Sequence, residues 1–229
     1  MKRSLRLVLR WLCIVGISVG AAFALMALVE RTNWYRARLV RLLHTGNARQ
    51  QLHAATQLAQ LKCERELLRA LQAEANSVRD LGRKALEHIW FHAAGDKAYR
   101  VLHQIHDAMD KKEWQRALAL SDRLTHQFPD FAEGWNRRAA VFWELGQYDK
   151  SIADSKRVLA LNPHHYGAMQ GIGVCRLQLG DVAEACRFLR AALQLIPYDE
   201  PTRSSLEKCE ELLRVYPPPG KQRNLEDVI

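Results

Sequence analysis

Three prolines set the frame for this chain. Pro129, Pro163 and Pro197 stand 34 residues apart, twice. Gly146 and Gly180 repeat the interval, with Lys112 in the same column. Trp114, Tyr148 and Val182 form another column, and Ala117, Ser151 and Ala185 a third. A fixed period of this length marks a repeat architecture. Within each period the apolar residues recur at spacings of three and four, which predicts two amphipathic helices. A single helical pair is too small to bury its apolar face, so neighbouring pairs must stack and bury one continuous core. The expected fold class is therefore all-α, a solenoid of helical hairpins.

The columns have physical reasons. Gly146 and Gly180 are placed to end the first helix of a pair, where a residue with positive φ is needed. Asp149 and Asp181 follow near the next helix start, where acidic or capping side chains are favoured. Ala117, Ser151 and Ala185 are small because two helices are expected to cross closely there. The prolines cannot continue a helix and open the next connection.

The aligned segments FAEGWNRRAAVFWELGQYDKSIADSKRVLALNP and YGAMQGIGVCRLQLGDVAEACRFLRAALQLIP resemble the tetratricopeptide repeat family. The middle unit supplies Trp135, Phe142, Ser151, Val158 and Pro163, and departs at Arg138-Ala139, where the family prefers Leu-Gly. The last unit supplies Ile172-Gly173, Ala185, Ala192 and Pro197, with Arg176 in place of the aromatic. The first unit, about residues 98–131, is weaker: Val101, Ala117, Leu124 and Pro129. The resemblance implies a right-handed solenoid of about three units over 98–214, with residues 202–214 as the closing helix. It also resembles a subgroup of bacterial repeat proteins of undefined role.

Charge divides the chain unevenly. The net charge is +9, of which residues 1–50 hold +8, with nine basic side chains against the single acid Glu30. The basic excess thus belongs to one end, which argues against a nucleic-acid face on the folded body. Residues 11–29, WLCIVGISVGAAFALMALV, carry no charge. As a helix they would cover roughly 28 Å, close to one hydrocarbon core. Residues 1–32 are accordingly expected to be a basic start and a single-pass membrane anchor, with the body favoured on the extracytoplasmic side. A cleaved signal peptide is the rival reading, with Ala22-Phe23-Ala24 as a small-x-small site. Residues 33–97 read as helices throughout, notably 47–61, 64–73 and 77–92. NSVRDLGRKALEHIW resembles a HEAT-type helix, so this region is expected to be an adaptor to the repeats. Residues 215–229, beginning YPPPG, are expected to be a flexible tail.

Little in the chain points to catalysis. No Ser or Cys nucleophile has an identifiable base and orienting group. Gly171-Ile-Gly173 lacks the third glycine and preceding strand of a phosphate loop, and reads as close helix packing. His88/His92 and His103/His106 stand at spacings suited to metal ligands, with Asp107 and Asp110 near the second pair. A metal-dependent enzyme or factor is thus the alternative from another class. His164-His165 fall in a connection and are expected to be solvated. Cys175 and Cys209 stand 34 apart on equivalent helices; buried free thiols or a disulfide are both open.

In the resembled family the first helix of each pair lines a concave face that holds peptides or helices of partner proteins. Its inward columns here are Leu102–Asn136–Gln170, His106–Ala140–Val174 and Met109–Trp143–Leu177, with Tyr99, His103, Arg137 and Glu144 beside them. The family's carboxylate-clamp subgroup needs lysines and asparagines; Leu102 and Gln170 stand where lysines would be. The expected function is a non-catalytic, membrane-tethered adaptor without cofactor, holding a protein segment on a groove of Tyr99, Leu102, His106, Met109, Asn136, Arg137, Ala140, Trp143, Gln170, Val174 and Leu177. Self-assembly of the solenoid into homo-oligomers is a further alternative.

Overall fold

A computed structural model describes residues 32–216, which are helical with short connections and contain no strand. They fall into two compact units that divide at Ala85/Leu86. The first unit contains α1 (Asn33–Thr45), α2 (Ala48–Gln60), α3 (Glu64–Ala70) and the start of α4 (Asn76–Phe91). Asn47 and Gln50 begin α2 with reciprocal side-chain to backbone bonds of 3.0 and 2.9 Å, satisfying two amides that the helix start leaves open. Leu39, Leu43, Ala54, Leu58, Leu67 and Ala70 are buried in this unit. Gly82 allows α4 to approach α3: a methyl there would lie 3.0 Å from the Ala70 Cβ.

The second unit holds three hairpins and a closing helix. The first helices are α5 (Gly95–Asp110), α7 (Ala132–Glu144) and α9 (Tyr166–Gln178); the second helices are α6 (Trp114–Gln127), α8 (Tyr148–Leu161) and α10 (Val182–Leu195); α11 (Glu200–Val215) closes the row. From α6 to α8 to α10, and from α7 to α9 to α11, the starts advance by 34 residues each time. Each helix packs on the next in chain order. Ala117, Ser151 and Ala185 are buried at the crossings.

The turn inside each hairpin repeats atom for atom. Lys112, Gly146 and Gly180 adopt φ of +57°, +69° and +79°. The amide of the following residue reaches five residues back, from Glu113 to Ala108, Gln147 to Phe142 and Asp181 to Arg176, at 2.8, 2.8 and 2.9 Å. The left-handed residue's own amide donates to Met109, Trp143 and Leu177 respectively. These paired bonds cap the carbonyls left open at the end of the first helix.

Arg138 stands where the resembled repeats prefer leucine, and it is held by several partners. Its guanidinium donates to both carboxylate oxygens of Asp154 on α8 at 2.7 and 2.8 Å, to Asp122 on α6 at 3.0 Å and to Thr125 Oγ1 at 3.1 Å. It also lies over the Trp135 ring. One side chain on α7 thus joins two successive second helices, and Asp154 is buried only because it is paired.

Two expectations are corrected here. Among the described residues no helix is long and apolar enough to cross a membrane. The longest run 16 residues, about 24 Å of rise against a hydrocarbon core of about 30 Å, and all carry charges. The membrane localisation, with the body on the extracytoplasmic side, is therefore withdrawn; residues 11–29, on which it rested, lie outside the described residues. The second correction concerns His165, which is 3% exposed and not solvated. Cys63, Cys175, Cys186 and Cys209 are free and buried. Cys209 shares a core with Cys186, and burial followed by the neighbouring Cys186 pushes its thiol up to about 11.

The repeated turn gives a stability test. Gly180→Ala should cost about 1 kcal/mol, the left-handed Cβ penalty of roughly 1–2 kcal/mol less the entropy gained by removing a glycine. Lys112→Ala, at the equivalent position where that penalty is already present, should change stability by under about 0.5 kcal/mol. Urea titration of the two variants checks the contrast.

Candidate functional site

Two polar arrangements set the first helices against one another. His165 caps α9: its Nδ1 accepts from the Ala168 amide at 3.1 Å. That leaves hydrogen on Nε2, which donates to Glu133 Oε1 on α7 at 2.9 Å. The imidazole is stacked on Trp90 of α4, with ring centres 4.8 Å apart. Glu133 Oε2 accepts from Asn136 Nδ2 at 3.0 Å and lies 3.8 Å from Arg137 Nε. Burial pushes the Glu133 carboxyl up, but the hydrogen bonds from His165 and Asn136 and the nearby Arg137 charge outweigh it and hold the group below its ordinary value. The second arrangement joins α9 to α11. Gln170 Nε2 donates to Oδ2 of Asp199, the residue that caps α11, at 3.0 Å, and to Thr202 Oγ1.

Between successive first helices the surface opens into two hollows. The one between α5 and α7 has a volume of about 160 Å³ and is lined by Phe91, Leu102, His103, His106 and Arg137. Arg137 lies over the Phe91 ring at 5.2 Å. Its Nε lies 3.8 Å from Glu133 Oε2, on a carboxylate that also accepts from Asn136 and the His165 ring. His106 Nε2 stands 3.6 Å from Asp110, and both are exposed. A run of rings extends beside this hollow: His88 to His92 at 4.3 Å, His92 stacked on Tyr99 at 4.0 Å, and Tyr99 edge-on to His103 at 4.6 Å.

The second hollow, between α7 and α9, has a volume of about 190 Å³. Asn136, Ala140 and Trp143 bound it on α7, Gly167, Gly171 and Val174 on α9, with Ser151 and Ser155 of α8 behind them. It exists because the residues there are small. A methyl at Gly171 would meet only Ser155 Oγ, at 3.4 Å. A Cβ at Gly173, by contrast, would lie only 2.7 Å from Leu189 Cγ, so this glycine serves packing. Trp143 is partly exposed; its inner edge packs on Tyr148, ring centres 5.1 Å apart, and on the Ile152–Ile172–Cys175 core.

Of the groove residues named from the sequence, Leu102, His106 and Arg137 meet in the first hollow, and Asn136, Ala140, Trp143 and Val174 in the second. Tyr99 lies in the ring ladder. Met109 packs on the α5–α6 core and Leu177 on the α10–α11 core. Gln170 is committed to α11 rather than to a ligand. His88 and His92 contact each other and Tyr99, and among the described residues no group of three or more His, Cys, Asp or Glu could hold a metal ion. Phe91, Gly167 and Glu133 were not named from the sequence, whereas Gly171 was read with Gly173 as close helix packing and His165 as solvated, and neither reading holds. The sequence holds a glutamate in the first turn of one repeat and a histidine just before the next, but their separation of 32 residues is off the repeat register.

The pair carries a pH signature. A carboxyl lowered by folding stabilises the fold above its unfolded range and loses that contribution as pH falls through the lowered value. Glu133→Gln should therefore cost about 2 kcal/mol at pH 7, the worth of a hydrogen bond to a charged group. The gap to wild type should narrow below about pH 4, where the unfolded carboxyl protonates. Urea titrations from pH 7 to pH 3 measure it.

Comparison with known proteins places this geometry. The family model described as tetratricopeptide repeat matches residues 102–155 and 141–200. A TPR repeat-containing protein of Rhizobium etli is 29% identical over 156 residues, covering 68% of this chain and 72% of its own length. Protein SGT1 homolog of Bos taurus is 28% identical over 114 residues, half of this chain but only 34% of that protein. Among solved structures, the first TPR of Spaghetti, bound to the HSP90 peptide SRMEEVD, superposes with a TM-score of 0.51 at 19% identity, over 52% of this chain and 94% of that one.

Proposed function

We propose that the chain, whose residues 102–200 match the tetratricopeptide repeat model, is a non-catalytic protein-interaction scaffold that holds an extended segment of another protein along its first helices. The observation that carries this reading is the pair of hollows opening between α5, α7 and α9. They lie in consecutive inter-helix grooves, and first helices of neighbouring hairpins pack about 8–10 Å apart. A segment in the extended polyproline II form has three residues per turn and advances roughly 9 Å over them, so its side chains at i and i+3 share a face and match the two openings. The first opening has an apolar floor with a cationic rim, and the second is bounded by small residues and the face of Trp143. Aromatic and arginine side chains are the types that dominate binding energy at interfaces. A peptide held by the TPR domain of Spaghetti is consistent with this use of the fold.

The reading predicts a specific loss. Extended peptides selected from a random library on the wild-type protein should bind the Trp143→Ala/Asn136→Ala double variant at least tenfold more weakly, with helicity by circular dichroism unchanged. Arg137→Ala, a milder change at a partly exposed side chain, should weaken the same peptides at least fivefold. Undiminished binding by both variants would contradict the assignment.

A further inference from the structure

We propose that Cys186 and Cys209 form a redox modification site, at which a small-molecule disulfide joins the two thiols and so fastens the closing helix α11 to α10. The helices bring these thiols together. On α11, Leu206, Cys209 and Leu213 recur at spacings of three and four and share one face. That face meets Val182, Ala185, Cys186 and Leu189 of α10 in one core. Cys186 is 1% exposed and Cys209 0%. Cys175, which the 34-residue interval sets level with Cys209, belongs instead to the core of Ile152 and Ile172.

The two thiols act on one another. Burial raises both, and the neighbouring Cys186 raises Cys209 further, to about 11. On Cys186 the charge of Arg190 and a hydrogen bond with Cys209 offset part of the rise. Cys186 is thus the thiol that ionises more readily and attacks first. Access comes through α11. It is the last described helix, and Thr202 and Cys209 are its buried residues. Thr202 is held at the start of the helix by Asp199 and Gln170. Past it, Cys209 is the deep anchor of the remaining turns. The ion pair beside it, Arg190 to Glu210 at 2.7 Å, is exposed and of the kind that adds little. Opening of these turns uncovers both thiols at once.

One molecule of a low-molecular-weight disulfide balances the reaction. The Cys186 thiolate attacks one of its sulfurs, forming a mixed disulfide and releasing a thiolate that takes up the proton Cys186 lost. The Cys209 thiolate then attacks the Cys186 sulfur. The Cys186–Cys209 bond forms, and the second small thiolate leaves and takes up the Cys209 proton. Two protein thiols are oxidised, and the small disulfide is reduced to two thiols. With the loop between α10 and α11 closed, the last turns of α11 can no longer leave α10.

The test uses the reduced full chain, incubated with glutathione disulfide at pH 8. Remaining thiols are then alkylated, and the digested protein is mapped by mass spectrometry. The peptides carrying Cys186 and Cys209 should be joined to each other. Amide exchange over residues 206–215 should be at least tenfold slower in the oxidised protein than in the reduced one, and dithiothreitol should restore the reduced rate. In Cys186→Ala protein the same treatment should leave that exchange rate unchanged. Both thiols alkylated after the incubation, or Cys209 joined to a different cysteine or left carrying glutathione, overturns the proposal. So does a Cys186–Cys209 bond that leaves exchange in α11 unchanged or makes it faster, because a cross-link that fits must hold the helix in place.

Discussion

The structure from Leu86 onward depends on mutual burial. Each hairpin presents apolar residues on both sides of its two helices, and only the next hairpin can keep them dry. Ile172 on α9 illustrates this: fully buried, it shares a core with Ile152 of the preceding hairpin. Leu189 on α10 does the same with Cys209 of the closing helix. The 34-residue interval follows from this requirement, because a change in the length of any unit would turn its apolar residues out of line with those of its neighbours.

Polar contacts then fix what burial alone leaves loose. Hydrophobic packing is non-directional, whereas hydrogen bonds have definite geometry. Arg138 ties α7 to α6 and α8, Glu133 ties α7 to α9 through His165, and Gln170 ties α9 to α11. Each spans from one repeat to another. Two of the three also shape the candidate site. The bonds that hold Glu133 keep it beside Arg137 at the rim of the first hollow, and the bond from Gln170 takes an amide out of the groove. The surface that remains is two shallow hollows with a single cation and an indole, not a row of charges.

Much of this was legible in the residues. The proline, glycine and small-residue columns predicted the helix pairs, and Gly146 and Gly180 do take positive φ. Lys112 takes it as well, which the column implies and its residue type hides. What could not be read were contacts set by three-dimensional proximity outside the period. His165 and Glu133 are 32 residues apart, off the 34-residue register, so no column links them. The second hollow arises from missing side chains at Gly167 and Gly171, and a glycine that opens space looks in sequence like Gly173, which closes it. Gln170 was placed correctly on the first helix, but its reach to Asp199 depends on how α11 docks. The membrane assignment failed differently. It was drawn from residues 11–29, and the helices that the structure describes are amphipathic and short.

Amide hydrogen exchange on an Ile172→Ala variant probes the interdependence of the hairpins most directly. The side chain is fully buried between α8 and α9, and the cavity left by its loss should cost roughly 2–5 kcal/mol. If the hairpins keep one another dry, protection should fall together in α7, α8, α9 and α10. Loss of protection confined to α9 and α10, with α7 and α8 exchanging as in wild type, would contradict the account.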